Sequence, residues 1–332
     1  MSESIWSTLF RESGAEHLSA SLAGTAAPLP AADATVCCPL PAAIIEVAGP
    51  DSATFLQGQL TCHLENITPE RGAPGAQCSL KGRVLATFLL GQPATGRYWL
   101  RLPADNAALT TQALAKYIVF SKATIAVADD VVVLGLYGPA ASELLRAAGA
   151  SCGGQHQTAA MDGGLIYQRD ADGLHFECWL TTAAASALLR QLGPRLQPVA
   201  PSFWELLDIR AGEAAVDAAT RDQFLPQMLN LDATGAVRFD KGCYTGQEVV
   251  ARAHYRGQVK RRLRRFSCTD LPADTVTDAS DSSVGTVILK APSETGWELL
   301  AVVAGSAGAV LRAGETALRA ESLPYAIKEN IG

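Results

Sequence analysis

The most informative stretch of the sequence is KGCYTGQEVVAR, residues 241–252. Within it, Thr245 and Glu248 have the Ser/Thr-x-x-Glu spacing of a capping box, which predicts that Thr245 caps the start of a helix. Gly257 marks the expected end of that helix, because glycine readily adopts the backbone conformation that terminates helices. The stretch therefore predicts a short helix that begins just after Cys243.

Cys243 is the residue in this stretch with the clearest chemistry. The free amide groups and the positive end of the helix dipole stabilise a thiolate there, and Lys241 adds positive charge nearby. Gly242 and Gly246 permit close approach of a ligand to the backbone. The alternative is a small buried apolar residue, and that interpretation is adopted for the other seven cysteines. For Cys243 the functional interpretation is preferred, so Cys243 and Lys241 are the candidate catalytic residues.

Basic residues are dense just beyond this stretch. Seven of the fourteen residues from Arg252 to Arg265 are Arg or Lys, in a chain whose net charge is -6. Arg252 and Arg256 lie four residues apart on the predicted helix, so both project from one face and can bind a carboxylate or a phosphate. The charges at 261–264 are interpreted instead as protection of a solvated strand edge. An anionic small molecule and RNA both fit this segment.

Size and composition limit the class of protein. With 332 residues, 48% hydrophobic and 18% charged, the chain is expected to form two or three packed units. The eight cysteines include no C-x-x-C pair and the five histidines have no metal-ligand spacing, so no disulfide framework or metal site is expected. The start lacks a secretion signal, and no apolar run approaches the roughly 20 residues that cross a bilayer. A cytoplasmic protein without a membrane segment is predicted.

Three regions are predicted along the chain. Residues 1–35 are expected to form an N-terminal helix and a tether rich in Ala and Pro. Residues 36–257 are predicted to form an α+β domain, and residues 258–332 a small β-barrel of short strands separated by turn residues. The predicted helices are 53–57, 183–192 and 203–211, and the predicted strands are 42–48, 83–90, 98–102, 131–136, 263–268, 285–289, 299–303 and 317–320.

Several side chains and motifs are assigned no chemistry at this point. Trp204 in the predicted helix 203–211 is interpreted as a core aromatic, and Asp208 and Arg210 as surface polar groups. No arrangement of Ser, His and Asp suggests a hydrolase triad. The sequence contains neither a phosphate-binding P-loop nor a convincing dinucleotide fingerprint, which argues against nucleotide-driven chemistry.

The residues of several segments resemble one family. KGCYTGQE at 241–248 is similar to the signature of YgfZ-type folate-binding proteins. Further similar segments follow the family order, and together they cover roughly residues 40 to 325. These segments are FLQGQLT at 55–61, KGRVL at 81–85, YIVFSK at 117–122 and PQMLNL at 226–231.

This resemblance implies an aminomethyltransferase-like folate-binding domain, as in the glycine cleavage system, followed by a small β-barrel. Tetrahydrofolate is the implied ligand, in a central cleft with the signature cysteine at its edge. The resemblance also implies support of iron-sulfur cluster assembly or repair, with iron-sulfur client enzymes that include those modifying tRNA. The implied folate-site residues are Gln59, Trp204, Asn230, Tyr244, Gln247, Glu248 and Arg252.

One departure from the aminomethyltransferase pattern bears on activity. That family carries an Asp-bearing strand where this chain reads GRVLAT at 82–87, and without that carboxylate the aminomethyl transfer loses its expected proton-handling group. A folate-binding accessory protein is therefore the first hypothesis. A one-carbon transferase that takes a carboxylate from elsewhere in the fold is the second. The third is an RNA-docking or protein-docking module with weak tRNA contact through Arg252–Arg265.

Overall fold

The computed structural model describes residues 2–23, 29–257 and 259–327. Residues 24–28 of the predicted tether, and Gln258 at the predicted start of the barrel, lie outside these ranges. The α-helices are α1 (Ser2–Glu12), α2 (Ser52–Gln59), α3 (Ala104–Ala115), α4 (Ala141–Ala147), α5 (Thr182–Leu192), α6 (Pro201–Ala211) and α7 (Gln247–Tyr255). Short 3-10 helices occur at Glu16–Ala23, Leu64–Asn66, Ile118–Phe120, Gly193–Arg195 and Pro226–Leu229.

The strands form two sheets and a barrel. In chain order they are β1 (Val36–Pro39), β2 (Ala42–Ala48), β3 (Ala73–Cys78), β4 (Val84–Ala94), β5 (Arg97–Pro103), β6 (Thr124–Val127), β7 (Val131–Tyr137), β8 (Thr158–Met161), β9 (Gly164–Gln168), β10 (His175–Thr181), β11 (Gln197–Pro198), β12 (Arg261–Cys268), β13 (Thr275–Asp278), β14 (Ser283–Ser293), β15 (Gly296–Ala304), β16 (Leu311–Ala313) and β17 (Thr316–Glu321).

The first sheet has the order β11-β1-β7-β10-β9-β8, and all its pairs are antiparallel except β1 with β11. The second has the order β3-β4-β5-β2-β6 and is antiparallel throughout. Buried side chains from both sheets, such as Trp99 and Trp179, form one apolar cluster with Trp204 of α6. The two sheets therefore pack face to face, which removes one apolar face of each from water.

Helices cover the other faces of the two sheets. Phe10 of α1 packs with Leu189 of α5 and Leu145 of α4 against the first sheet. Leu56 of α2 and Leu114 of α3 pack against the second. The N-terminal helix thus belongs to the core of the α+β region, because its apolar side chains are buried by α5 rather than by a unit of its own.

The C-terminal strands close into a barrel in the order β12-β15-β14-β13-β16-β17. Strand β12 pairs with β15 along Arg261–Cys268, but with β17 only at Arg265–Ser267. The barrel packs on α6 and on the segment 229–237 through Leu263, Leu300 and Val302. Among the described strands, residues 261–264 therefore have a partner on one side only, and the predicted solvated edge holds for the exposed Arg261 but not for Arg262, which bonds Gln227 and Asp232.

The predicted α+β class with a C-terminal barrel is confirmed. The predicted strand 42–48 matches β2 residue for residue, and the predicted helix 203–211 ends as expected at Gly212, which adopts a left-handed conformation with φ of 70°. The helix predicted to stop at Gly58 continues to Gln59. Nine strands were not predicted, namely β1, β3, β6, β8, β9, β10, β11, β13 and β16.

Candidate functional site

A cleft of about 620 Å³, its open mouth included, lies between β4, the end of α6 and the segment 229–236. Apolar side chains form much of its wall, among them Phe88, Leu89, Leu229 and Leu231. Its charged lining consists of Arg101, Arg169, Asp208 and Glu213. An apolar cleft with a few convergent polar groups is the usual form of a small-molecule site.

Arg169 organises the charges of this cleft. Its Nη1 donates to Glu177, and its Nη2 contacts Oδ1 of Asp208 at 2.9 Å and Oε2 of Glu213 at 2.5 Å. Arg101 forms an ion pair with Glu177 at 2.9 Å. The Arg169 side chain is 5% exposed, so the pairing compensates for the desolvation of its charge.

Burial raises the pKa of both inner carboxyls, but their net shifts are opposite. Burial disfavours the charge of Glu177, but Arg101, Arg169 and Trp179 outweigh it and hold the pKa of that carboxyl below its ordinary value. For Asp208 burial prevails over the attraction of the arginines and raises the pKa to about 6. Asp208 is thus the carboxyl of the cleft that is closest to changing its protonation state near neutral pH.

One donor in the cleft lacks an acceptor among the described residues. Nε of Arg169 is buried and has no hydrogen-bond partner, whereas Nε of Arg101 lies 2.9 Å from Oε2 of Glu177. A buried N–H group without an acceptor is costly. A ligand with an acceptor atom would relieve that cost.

The segment 82–87, which lacks the family carboxylate, also reaches the cleft. Thr87 of β4 lines it, and its hydroxyl accepts a 2.8 Å hydrogen bond from the backbone N–H of Val216. Asp208 lines the same cleft from α6. The interpretation of Asp208 as a surface polar group is wrong, because Arg169 holds it in the cleft with its side chain 18% exposed.

The interpretation of Arg210 as a surface polar group is also incomplete. Its guanidinium bonds Glu298 of the barrel strand β15 at 2.8 Å and pairs with Glu294. These bonds bridge α6 to the barrel, so Arg210 has a structural role at the contact between the two units.

The signature stretch begins its helix differently from the capping-box prediction. Helix α7 starts at Gln247, and its N-cap is Gly246, with φ of 84° and no side-chain cap. A Cβ at Gly246 would lie 2.3 Å from the carbonyl oxygen of Ser79. The predicted Thr245 cap is therefore wrong: the chain enters the helix through a left-handed glycine packed on the turn 79–82, and the Thr245 hydroxyl donates to Gln59 instead.

Lys241 is fixed by backbone carbonyl groups. Its Nζ donates to the oxygens of Gln57, Leu60 and Cys62 at 2.8, 2.6 and 2.8 Å, and lies 5.3 Å from the centroid of the Tyr244 ring. Burial lowers the pKa of Lys241 to about 8. Its observed contacts connect the signature stretch to the end of α2, where carbonyl oxygens are unpaired within the helix and attract a cation.

Cys243 is the cysteine with the greatest exposure. Five of the others are buried and Cys152 and Cys268 are half-buried. Cys243 follows Ala236, a lining residue of the cleft, by seven residues, which limits their separation to at most about 25 Å. Cys243 is therefore open to a reagent or a partner at the surface.

Other predicted site residues gather around the same loop. Gln247 Oε1 accepts from the backbone N–H of Tyr244 at 3.1 Å, and Gln59 accepts from Thr245. The Tyr244 hydroxyl is buried without a hydrogen-bond partner among the described residues, and burial raises its pKa. The structure thus brings Gln59, Lys241, Tyr244 and Gln247 together as one cluster.

Trp204 and Asn230 lie apart from that cluster. The Trp204 ring is buried, packs over Gly135 and lies 4.5 Å from the His175 ring, with its indole N–H unpaired among the described residues. Asn230 is fully buried, and its Nδ2 donates to the carbonyl oxygen of Leu263 at 3.0 Å. Their neighbours Asp208, Leu229 and Leu231 line the cleft, so both residues stand behind its wall.

The basic segment is largely divided between internal and exposed charges. Arg262 pairs with Asp232 at 2.7 Å and Arg265 with Glu298 at 2.6 Å, both largely buried. Arg252 is exposed and pairs with Glu248 at 2.9 Å, while Arg256 is exposed at the end of α7. Only part of the segment 252–265 therefore presents positive charge to solvent.

An aromatic cluster adjoins this segment. The rings of Phe239 and His254 stack at 3.9 Å, and the exposed Tyr255 ring meets both edge to face. Phe239 lies outside the basic segment in sequence, and the fold brings it to α7 from the preceding loop.

Among residues 2–23, 29–257 and 259–327, no helix combines the length and the apolarity that a bilayer crossing requires. In the same residues no three His, Cys, Asp or Glu side chains are grouped so as to hold a metal ion.

No model of a known protein family matches the chain. Two relatives named tRNA-modifying protein YgfZ, from Klebsiella pneumoniae and Escherichia coli, are each 32% identical to it, with 85% of this chain and 90% of each relative covered. A third protein of that name, from Pectobacterium carotovorum, is 36% identical over 219 residues, 65% of either chain.

A solved structure shows the same fold. Glycine cleavage system aminomethyltransferase T from Bartonella henselae matches this protein with a TM-score of 0.73, over 95% of this chain and 89% of that one, at 20% identity. The predicted relationship is confirmed: on an aminomethyltransferase T fold, the chain belongs to the YgfZ family.

Proposed function

We propose that this protein binds a reduced folate in the cleft beside Arg169 and, in the cytoplasm, supports tRNA modification by sustaining iron-sulfur enzymes. Cys243 is its reactive thiol in this proposal. The observation that carries the ligand proposal is the cleft itself, which combines apolar walls, an unpaired guanidinium N–H group and carboxylates. The three relatives share the name tRNA-modifying protein YgfZ, which supports the proposed role in tRNA modification.

The donor and acceptor groups of the cleft fit a pterin. A pterin is a flat ring with carbonyl and ring-nitrogen acceptors beside N–H donors. The unpaired Nε of Arg169 can meet an acceptor, and Asp208 and Glu213 can accept from the N–H groups. Phe88 and Leu89 offer apolar contact to the ring. A bound reduced folate would supply one-carbon units carried on its nitrogen atoms.

The remaining proposed folate residues act in two groups. Gln59, Tyr244, Gln247, Glu248 and Arg252 hold or flank the loop that carries Cys243, where the exposed Arg252 can attract the anionic tail of a folate. Trp204 and Asn230 support the wall of the cleft from behind. Lys241 fixes the loop, so that the thiol of Cys243 keeps a constant position relative to the cleft.

Calorimetric titration of the full chain with tetrahydrofolate tests the ligand proposal. We expect saturable binding in the micromolar to millimolar range, and no heat of binding at millimolar ligand would refute it. The cysteine proposal is tested in cells that lack their own copy of the protein. Cys243→Ala should fail to restore the activity of iron-sulfur enzymes that modify tRNA, whereas Cys268→Ala should restore it.

A one-carbon transferase is the second candidate, and Asp208 is the observation that favours it. The segment 82–87 carries no carboxylate, but Asp208 lines the same cleft as Thr87 and has a pKa of about 6. A carboxyl of that pKa is suited to exchange protons near neutral pH. Formation of methylenetetrahydrofolate from tetrahydrofolate and an aminomethyl donor would support this candidate, and its absence with bound folate would leave the accessory role.

A further inference from the structure

The charges around the cleft do not balance. Arg101 and Arg169 face three carboxylates, those of Glu177, Asp208 and Glu213. With every group ionised, the cluster carries one negative charge more than it has positive charges. Unlike a surface ion pair, this excess lies largely shielded from water, so it interacts more strongly with a ligand that enters the cleft.

The surrounding ionisable groups do not restore the balance. On β10, burial holds the pKa of His175 well below its ordinary value, and burial lowers the pKa of His156, in the loop beside Tyr167, to about 4, so both rings are neutral at pH 7. Glu205 on α6 adds no positive charge, and Arg71 is an exposed surface residue that acts on His156.

Asp208 and Glu213 are the carboxylates placed to meet a ligand. Both contact the same Nη2 of Arg169, through Oδ1 and Oε2, so two like charges share one donor. The second oxygen of each carboxylate has no hydrogen bond within the described part of the chain. Glu177 is different, since it is fully buried and both its oxygens are occupied, by the arginines and by Trp179.

A second observation points to a ligand at this place. The Arg169 side chain is 5% exposed and lines the cleft, and its Nε has no hydrogen-bond partner. The ligand that completes the site therefore needs a hydrogen-bond acceptor for Nε beside a group that carries positive charge for the two carboxylates. The neutral pterin ring of tetrahydrofolate supplies the acceptor but not the charge.

We infer that the cleft selects a one-carbon form of folate whose ring system carries a positive charge over tetrahydrofolate, whose ring system is neutral, and that Asp208 and Glu213 are the residues that determine this specificity. The inference rests on the proposed folate site. The charged form is of the methenyl class, in which a carbon bridge between two nitrogens carries a delocalised positive charge. A nearby negative excess stabilises such a ligand and leaves neutral forms nearly unaffected.

The test compares the affinities of two probes for the full chain at pH 7. Tetrahydrofolate and 5,10-methenyltetrahydrofolate are titrated rapidly, with protein fluorescence as the readout, before the methenyl ring opens. We expect the methenyl form to bind about tenfold more tightly, which corresponds to ~1.4 kcal/mol. Asp208→Asn and Glu213→Gln should each bring the affinity ratio towards one, and the exposed Asp172→Asn should keep the wild-type ratio.

The outcomes separate this inference from the proposed function. Equal affinity of the wild-type chain for the two probes would overturn the inference while the folate site stands. A tenfold ratio that survives both Asp208→Asn and Glu213→Gln would also overturn it, since the preference would then arise elsewhere. Failure of the wild-type chain to bind either probe would refute the folate site itself, and the inference with it.

Discussion

Nζ of Lys241 donates a 2.6 Å hydrogen bond to the carbonyl oxygen of Leu60, which joins the signature stretch to the residues that follow α2. Two further bonds from the same ammonium group reach Gln57 and Cys62. The three carbonyl groups lie where a helix has no internal donors left, so the lysine serves as their common partner. Lys241 thereby fixes the base of the loop that exposes Cys243.

Replacing Lys241 by Met should destabilise the protein. The substitution keeps a long apolar chain but leaves three partly buried carbonyl groups without this donor, so we expect a loss of roughly 1–3 kcal/mol in the free energy of unfolding. Urea unfolding followed by circular dichroism measures it. Lys122→Met, at an exposed position, is the control, and equal effects of the two variants would contradict the role of Lys241.

Gly246→Ala should be far more disruptive than Gly242→Ala. Gly246 has φ of 84° and a Cβ there would meet the Ser79 carbonyl oxygen at 2.3 Å, whereas a Cβ at Gly242 meets nothing within 4 Å. We expect Gly246→Ala to lower the free energy of unfolding by at least about 1–2 kcal/mol from the left-handed conformation alone. Thermal unfolding of both variants checks this, and similar melting temperatures would count against the close packing.

Alkylation at pH 7 should modify Cys243 before the other cysteines. Its thiol is exposed, while Cys152 and Cys268 are half-buried and the remaining five are buried. Iodoacetamide labelling of the native protein, quenched at intervals and mapped by mass spectrometry, gives the rate for each site. Cys243→Ser should remove the fastest phase. Labelling of Cys268 at the same rate as Cys243 would remove the case for a distinctive thiol.

The free energy of unfolding should fall as the pH rises from 4 to 6, because Asp208 loses its proton in this range. Its folded pKa of about 6 lies above the ordinary value near 4, so the native chain holds more protons than the unfolded chain in this window. The stability of the wild type relative to Asp208→Asn should therefore drop by roughly 2–3 kcal/mol between pH 4 and pH 7.

Urea unfolding at several pH values measures this difference. Asp172→Asn, which changes an exposed carboxylate, should track the wild type throughout. If the curves of wild type and Asp208→Asn stay parallel across the window, the carboxyl titrates normally and the argument from burial is mistaken.

The docking hypothesis predicts that two arginines of the basic segment affect tRNA binding differently. Arg256 is exposed, whereas Arg262 is paired with Asp232 and bonds the carbonyl oxygen of Gln227. Arg256→Gln should reduce the slope of log affinity against log salt by about 1, and Arg262→Gln should leave it unchanged. Filter binding across a salt series gives the slopes, and affinity that is flat with salt would dismiss phosphate contacts.

Much of the architecture follows from local sequence. The strand 42–48 is apolar apart from Glu46, and Gly212 ends α6 because glycine alone enters the left-handed region without strain. The dense signature KGCYTGQE identified the family and singled out Cys243, since its residues are contiguous. Such features depend on neighbours in the chain, so the sequence alone determined the α+β class, the C-terminal barrel and the family.

Tertiary structure decided which charges meet. Arg169, Asp208 and Glu213 are separated by up to 44 residues, and only the packing of the two sheets with α6 brings them to one guanidinium group. Thr245 does not cap α7, because Gly246 packs on a distant turn, and Arg262 is withdrawn from solvent because it bonds Gln227 and Asp232. These outcomes depend on desolvation and on contacts between remote segments, which no local spacing encodes.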